Sequence, residues 1–219
     1  MNSPILQLLV LAGIAIFLIL RLKSVLGTRD GFEGPKQNGP APTSSRRQDF
    51  EVIDGGPDRD ITDHVAEDSE AAAALAEMKR AEPSFNVTEF LQGARGAYEM
   101  ILMAFERGKL DEVTPFLSED VYETFAQVVD AREEQGLTIE ADFAGVREVA
   151  LSDARFDQSS KRAEITMKFV GELTSVVRNS DGDIIEGKPG HAKRQKDVWT
   201  FERPMGTNDP NWRLVATSE

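Results

Sequence analysis

The sequence predicts an α+β fold, with helices packed on one face of an antiparallel sheet, preceded in the chain by one N-terminal transmembrane helix. Three observations support this fold class. Apolar residues recur at helical spacing between residues 85 and 136. After Gly136 they alternate with polar residues, as in strands, and Asn179 to Asp183 reads as a turn between two strands. Helices followed by a run of strands are typical of an α+β domain.

The first long helix of this domain has a well-marked start. Asn86 can cap it, and Glu89, three residues later, completes a capping box. Phe85 can pack on Phe90 as a hydrophobic staple. The helix is predicted to end at Gly108, because glycine readily adopts the left-handed conformation of a helix terminus.

A short helical turn over 109–116 precedes a second helix, which begins at the Ser118 cap and ends at Gly136. The strands that follow are marked by alternation of apolar and polar residues. They are predicted at 137–143, 163–171, 196–201 and 212–216.

The N-terminus carries an apolar segment, Ile5 to Leu22, which predicts a transmembrane anchor over residues 1–26. As a helix it would span roughly 27 Å, close to the hydrocarbon thickness of a bilayer. Cations follow the segment instead of preceding it, so we expect the N-terminus outside and the rest of the chain in the cytoplasm. A cleaved signal peptide is the alternative. The anchoring side chains are Ile5, Leu8, Leu9, Phe17 and Leu20.

Residues 27–84 are predicted to form a flexible spacer, because they are rich in Pro, Gly and Ser. One helix is expected within it, at 68–82, with alanines inside, basic residues near its end and Pro83 as its stop. Its apolar face is small, mainly Leu75 and Met78, so we expect a transient or docking helix. The folded domain then occupies residues 85–219.

Composition excludes several classes of function. The net charge of −13 disfavours binding to nucleic acid, whose phosphates would repel the chain. The absence of cysteine excludes disulfides and thiolate metal sites. With two histidines, His64 and His191, a multi-histidine metal site is not expected. We therefore expect neither a metal nor a cofactor.

Two separated stretches carry a resemblance to a known family. The first is FLQGARGAYEMILMAFERGKLDEVTPFLSEDVYETF followed by REEQG, and the second is DVWTFERPMGTNDPNWRLVATSE. Together they resemble the C-terminal domain of the Tim44-like family, over about Phe85 to Ser218. The mitochondrial member of that family is the adaptor on the matrix side of the inner-membrane presequence translocase, and bacterial relatives are membrane-anchored.

The resemblance implies a cone-shaped fold like that of nuclear transport factor two, with helices over a curved sheet and a deep apolar pocket. It also implies an adaptor for protein partners at a bacterial inner membrane. The partners would be membrane proteins or translocating proteins.

The pocket implied by the resemblance has eight candidate lining residues, which could instead be core. Met100 and Met103 are the better candidates, since flexible thioethers suit varied apolar ligands. Two further aromatic residues, Phe105 and Phe201, share this ambiguity. The eight are Tyr98, Met100, Met103, Tyr122, Phe125, Phe143, Phe169 and Trp199.

A basic cluster stands out in the acidic domain, in the stretch GKPGHAKRQKD. Its cations could contact anionic phospholipid headgroups. The alternative is a solvated hairpin whose side chains point apart. The cluster comprises Lys188, Lys193, Arg194 and Lys196, beside His191.

The function expected from these observations is an adaptor that holds protein partners near the membrane, in protein transport or membrane-protein assembly. One alternative is a tethered pocket for a lipid or another apolar small molecule. An isomerase- or dehydratase-like enzyme is a third, because cone-shaped domains host such activities. We expect no catalysis, because Asp142 should face away from Phe143 in a regular strand and no dyad is apparent.

Overall fold

The computed structural model describes residues 57–207 and 209–218, within a compact unit that runs from Pro57 to Glu219. The predicted anchor, with Ile5, Leu8, Leu9, Phe17 and Leu20, lies outside the described residues, as does the spacer up to residue 56. Within the described part of the chain, none of the helices has the length and apolar character needed to cross a bilayer.

The helical half of the unit has four helices in the described residues, joined by short turns. The Asn86 cap, the Phe85–Phe90 staple and the Gly108 stop are confirmed, whereas in the described residues the Glu89 side chain accepts no hydrogen bond from the Asn86 N–H. The Asn86 side chain accepts a hydrogen bond from the Glu89 N–H at 2.8 Å, Phe85 lies 6.4 Å from Phe90 between ring centroids, and Gly108 has a φ of 68°. The helices are α1 (Arg59–Thr62), α2 (Glu70–Ala81), α3 (Val87–Glu106) and α4 (Glu119–Glu134), with two 3₁₀ turns at Leu110–Glu112 and Thr114–Phe116.

The other half is one four-stranded antiparallel sheet in the order β1-β2-β3-β4, which confirms the α+β fold class. The predicted turn at Asn179 to Asp183 joins β2 to β3. The first three strands are much longer than the predicted segments. In β1, shifts of register interrupt the apolar–polar alternation from which strands are predicted. The strands are β1 (Thr138–Asp157), β2 (Arg162–Arg178), β3 (Ile184–Pro204) and β4 (Arg213–Ser218).

Helix α2 belongs to the folded unit, whereas the sequence placed it in a flexible spacer ending at residue 84. It packs on β1, and Leu75 and Met78 are both 0% exposed. Two apolar side chains are a weak signal in a sequence, but when both are fully buried they hold the helix on the sheet. The structure thus starts the compact unit at Pro57, earlier than the predicted boundary at 85.

Helix α1 is joined to the start of α3 by a long-range cap. The Asp60 carboxylate accepts hydrogen bonds from the Val87 and Thr88 N–H groups, at 2.8 and 2.9 Å, and from Lys79 at 2.9 Å. These two N–H groups have no partner within their own helix, so Asp60 supplies what Asn86 leaves unsatisfied. Burial opposes ionisation of Asp60, but these hydrogen bonds outweigh it and hold the pKa of Asp60 well below its usual value.

An ion pair fastens the end of α2 to the sheet. Arg203, with a side chain only 5% exposed, donates to Glu82 at 2.7 Å, and the Gly206 N–H donates to the other oxygen of Glu82 at 2.8 Å. The guanidinium also stands over the Trp212 ring, 5.2 Å from its centroid. Burial alone would raise the pKa of Glu82, but the bonds from Gly206 and Arg203 hold it below its usual value.

Candidate functional site

Three of the predicted pocket residues lie together in the core. Tyr98 on α3 is 0% exposed, and its ring stacks on Phe169 of β2 with centroids 4.5 Å apart. Trp199 of β3 packs against the same tyrosine at 4.8 Å, and Phe201 continues the cluster. These rings fill the space between α3 and the sheet, so at these three positions the side chains are core.

A polar pair is buried within this aromatic cluster. The Tyr98 hydroxyl donates to Asp197 at 2.5 Å, and Gln195 donates to the other oxygen of Asp197 at 3.0 Å. Gly171 makes room for the phenol, because a Cβ at this position would lie 2.6 Å from the hydroxyl oxygen. Burial and the neighbouring carboxylate raise the pKa of Tyr98, so the hydroxyl keeps its proton.

Asp197 was missed in the sequence, although a usable signal was there. The predicted strand at 196–201 places positions 197, 199 and 201 on one face, and Trp199 and Phe201 mark that face as buried. Asp197 lies on the same buried face, so its carboxylate needs a hydrogen-bond partner. Tyr98 supplies it from 99 residues away in the chain, a distance across which a strand pattern carries no information.

Another three predicted residues meet at an open surface, which we call the methionine groove. It has a volume of about 380 Å³ and lies between the C-terminal half of α3, the first 3₁₀ turn and β1. Met100, Met103 and Phe143 contribute to its wall, and a binding role for them stays a prediction. Its full lining is Glu99, Met100, Met103, Ala104, Arg107, Glu112, Asp142 and Phe143.

The methionine groove combines an apolar floor with acidic side chains. Met100 is 38% exposed, an unusual position for a large apolar side chain, while Met103 is 7% exposed. Among the described residues, Glu99 and Asp142 form no ion pair, and Glu112 has only a distant one with Lys109 at 3.8 Å. Asp142 is exposed and Phe143 half-buried, as the predicted strand alternation implies, and both nevertheless line the groove.

The two predicted residues on α4 do not join this groove. Phe125 packs on Phe105 with ring centroids 4.7 Å apart, and the Tyr122 hydroxyl donates to Asp111 at 3.2 Å. Both side chains are half-buried and hold α4 against the end of α3 and the first 3₁₀ turn. The structure thus divides the eight predicted residues among the core, the groove and a helix contact.

A second cavity, which we call the arginine groove, was not anticipated from the sequence. It measures about 400 Å³ and lies between the last turns of α3 and α4 and the first residues of β1. Arg132 stands over the Phe105 ring, 4.5 Å from its centroid, and donates a long hydrogen bond of 3.4 Å to the Phe105 carbonyl oxygen. Glu106, Arg107 and Glu133 also line it.

The four predicted lipid-contacting cations lie on β3, and all are exposed. Within the described residues none of the four forms an ion pair. They do not share a face, since Lys193 lies opposite the buried Leu173, whereas Arg194 and Lys196 lie opposite Glu172 and Val170 on the other side. Contact with anionic lipid stays a prediction for these residues.

In the described ranges, no group of three or more His, Asp or Glu residues is arranged to hold a metal ion. The ionisable side chains of both grooves are carboxylates and guanidiniums. Such groups suit the recognition of charged ligands and polypeptides.

Comparison with known proteins places this chain in a family. The family model for the Tim44-like domain matches residues 71–219, so the match includes α2 as well as the domain predicted from the sequence. The mitochondrial import inner membrane translocase subunit TIM44 of Homo sapiens is 28% identical over 153 residues, and the match covers 68% of this chain and 33% of that protein. TIM44-1 of Arabidopsis thaliana is 22% identical over 162 residues, covering 71% of this chain and 34% of that protein.

The chain spans about a third of the length of these relatives. Among solved structures, the intermembrane space region of the chloroplast protein ARC6 matches 58% of this chain and 94% of its own, with 10% identity and a TM-score of 0.39. Because the family model covers more than half of the residues, this chain belongs to the family of Tim44-like domain proteins.

Proposed function

We propose that this protein is an adaptor that binds a basic, amphipathic segment of a partner polypeptide in the methionine groove, close to the inner membrane. The observation that carries the proposal is the exposed Met100 beside the nearly buried Met103, with acidic side chains around them. Such a surface takes up the apolar face of a helix, while the carboxylates meet the cations that flank that face.

The groove has physical properties that suit partners of differing sequence. Met100 and Met103 have unbranched, polarisable side chains that can repack around different apolar residues. The net charge of −13 adds a long-range attraction for basic segments and repels acidic ones. A basic amphipathic helix places apolar residues at i, i+3, i+4 and i+7, a spacing that a groove beside one helix can accommodate.

The relatives support a role in protein transport, because their names describe them as subunits of a mitochondrial import inner membrane translocase. We extend that role to this chain as an adaptor in protein transport or membrane-protein assembly. Residues 1–26 would anchor it in a bacterial inner membrane with the Tim44-like domain in the cytoplasm. The family resemblance also supports a cone-shaped fold like that of nuclear transport factor two for the folded unit.

The test is crosslinking in intact cells, with a photo-reactive residue at Met100 of the full chain. Discrete protein adducts, identified by mass spectrometry, are the expected result. The same probe at Ile184, which is 42% exposed on β3 and outside the groove, is the matched control. Equal adducts at both positions, or lipid adducts alone at Met100, would overturn the proposal.

Charge reversal tests the chemistry of the partner. The double variant Glu99→Lys/Asp142→Lys should weaken binding of a basic amphipathic peptide by about fivefold or more, because each exposed ion pair contributes about 0.2–1 kcal/mol and its reversal adds repulsion. Glu123→Lys, on an exposed part of α4 that does not line the groove, is the single-charge control. A peptide with the same composition but no apolar face should bind weakly to every variant.

A further inference from the structure

The arginine groove contains a guanidinium whose hydrogen-bonding capacity is largely unused. Arg132 is half-buried on the Phe105 ring and makes one long hydrogen bond, to the Phe105 carbonyl oxygen at 3.4 Å. No carboxylate in the described residues lies close enough to form an ion pair with it. Guanidinium has five N–H donors in a rigid fork, so most of them remain available to a ligand in the groove.

A carboxylate faces the same cavity without being paired to this arginine. Glu106 is half-buried at the end of α3, and in the described residues it makes no ion pair. Burial raises the pKa of Glu106, and the charge of Arg132 and the Ser175 hydroxyl offset only part of that rise. Glu186 adds a further repulsion, and Arg107 and Glu133 line the exposed edge of the groove.

Arg132 and Glu106 carry opposite charges and are both partly removed from water. A ligand that pairs with each of them would therefore stabilise both. We propose that the arginine groove binds a small zwitterion, with a phosphate on the Arg132 fork and a primary ammonium on Glu106. The cavity of about 400 Å³ is within the range of small-molecule sites and larger than such a ligand needs. Arg132 and Glu106 do not line the methionine groove, with which this site shares only Arg107, and the proposal does not depend on the proposed adaptor function.

Each half of the site excludes a simpler ligand. A plain anion would satisfy Arg132 but would be repelled by Glu106 once that carboxylate is ionised. A plain cation would pair with Glu106 but would be repelled by the charge of Arg132. A quaternary ammonium lacks the N–H donors that a carboxylate accepts, so a primary ammonium is the better match for Glu106.

The probe is glycerophosphoethanolamine, added to the full chain in maltoside detergent. The amide signals of Gly108 and Gly136, which line the groove, are followed by NMR. We expect saturable shifts, and an affinity about tenfold higher than that of glycerophosphate or glycerophosphocholine, since one charge-assisted hydrogen bond accounts for such a factor. Equal affinities for the three compounds, or no saturable shift at about 10 mM, would overturn the proposal.

Two variants separate the two contacts. Glu106→Gln should lower the affinity for glycerophosphoethanolamine about tenfold while leaving or improving that for glycerophosphate. Arg132→Lys keeps the charge but loses the fork, so it should weaken both ligands. Glu134→Gln removes the same charge from an exposed position of α4 that does not line the groove and should change neither affinity more than about twofold. If Glu106→Gln and Glu134→Gln behave alike in a chain that unfolds at the wild-type temperature, the site is not the one proposed.

The source of the zwitterion is decided by comparing two phosphates. Phosphoethanolamine is a monoester, as in a free metabolite, whereas glycerophosphoethanolamine is a diester, as in a lipid headgroup. Tighter binding of the diester assigns the groove to a headgroup, and tighter binding of the monoester assigns it to a soluble compound. Failure of both refutes the site.

Discussion

Helix α3 has two regions that differ in how their polar groups are satisfied. Around its middle, Tyr98 is fully buried and its hydroxyl is bonded to Asp197. Around its last two turns, Met100 is exposed, and Glu106 and Arg132 face one groove without pairing to each other. We call these the closed and the open region.

The difference shows that an apolar helix face does not by itself indicate a pocket. The MILMAF stretch is as apolar as any part of α3, yet it borders both grooves and contains the exposed Met100. The closed region is sealed because aromatic rings fit together and every acceptor of Asp197 finds a donor. The open region keeps its unmatched charges at the surface, where a partner can reach them.

The largest expected effect on stability is at the Glu82–Arg203 ion pair, which fastens the end of α2 to the sheet. Glu82→Ala would leave Arg203 buried without a carboxylate, which costs about 3–5 kcal/mol. Thermal or urea unfolding of the full chain measures it. The double variant Glu82→Leu/Arg203→Met should be clearly more stable than the single variant, since no charge is stranded. If it is not, Arg203 has another partner.

Leu75→Ala tests whether α2 is packed on the sheet as firmly as the closed region is. A fully buried leucine truncated to alanine loses about 2–5 kcal/mol. Ile184→Ala, at a position 42% exposed, is the control and should lose less than about 1 kcal/mol. If Leu75→Ala and Ile184→Ala have equal urea midpoints, α2 is only loosely attached to the folded unit, as the spacer prediction implied.

Gly171→Ala would disturb the closed region from inside. Its methyl group would come within 2.6 Å of the Tyr98 oxygen, so the phenol must move away from Asp197. We expect a loss of about 1–3 kcal/mol from overpacking and the weakened hydrogen bond. Gly96→Ala makes the same change on α3, where nothing lies within 4 Å, and should stabilise the helix by about 0.5–1 kcal/mol. Opposite signs in a melting experiment would support the contrast.

Acid should weaken the fold through Asp60 and Glu82, the two carboxylates that fasten α1 and α2 to the rest of the unit. The pKa values of Glu82 and Asp60 are lowered by their hydrogen bonds, so both carboxylates contribute stability above their unfolded pKa values of 4.5 and 3.8. That stability is lost as the pH falls through the folded values, because the unfolded chain takes up protons first. Unfolding measured from pH 6 to about pH 3 should show the loss, and Glu82→Gln should reduce it. An unchanged slope would mean that Glu82 is not coupled to folding.

The smallest effect is expected outside both regions, at the cations of β3. Arg194→Glu/Lys196→Glu should reduce binding of the full chain to vesicles containing anionic lipid, by about 1 kcal/mol for each cation removed. Arg155→Glu/Arg162→Glu, also exposed and also basic, is the charge-matched control. If the two double variants lose the same amount of vesicle binding in co-sedimentation, the effect comes from net charge alone.

The parts of the fold that were predicted are those encoded by neighbouring residues. Asn86 and Ser118 cap the helices that follow them because a cap acts within three residues. The turn at Asn179 to Asp183 is equally local. In contrast, the cap that Asp60 provides to Val87 spans 27 residues, and nothing in the composition of a Pro- and Gly-rich segment announces it.

The sequence by itself determined the order of helices and strands, the ends of the two long helices and the family, because these depend on short-range spacing and on local motifs. Only the tertiary structure decided that Tyr98, Phe169 and Trp199 close the interior while Met100, Met103 and Phe143 border a groove. All six are apolar or aromatic residues at regular spacing, so no local pattern separates them. Whether such a side chain fills space or lines it depends on what lies opposite, and for α3 that is a sheet whose strands follow it in the chain.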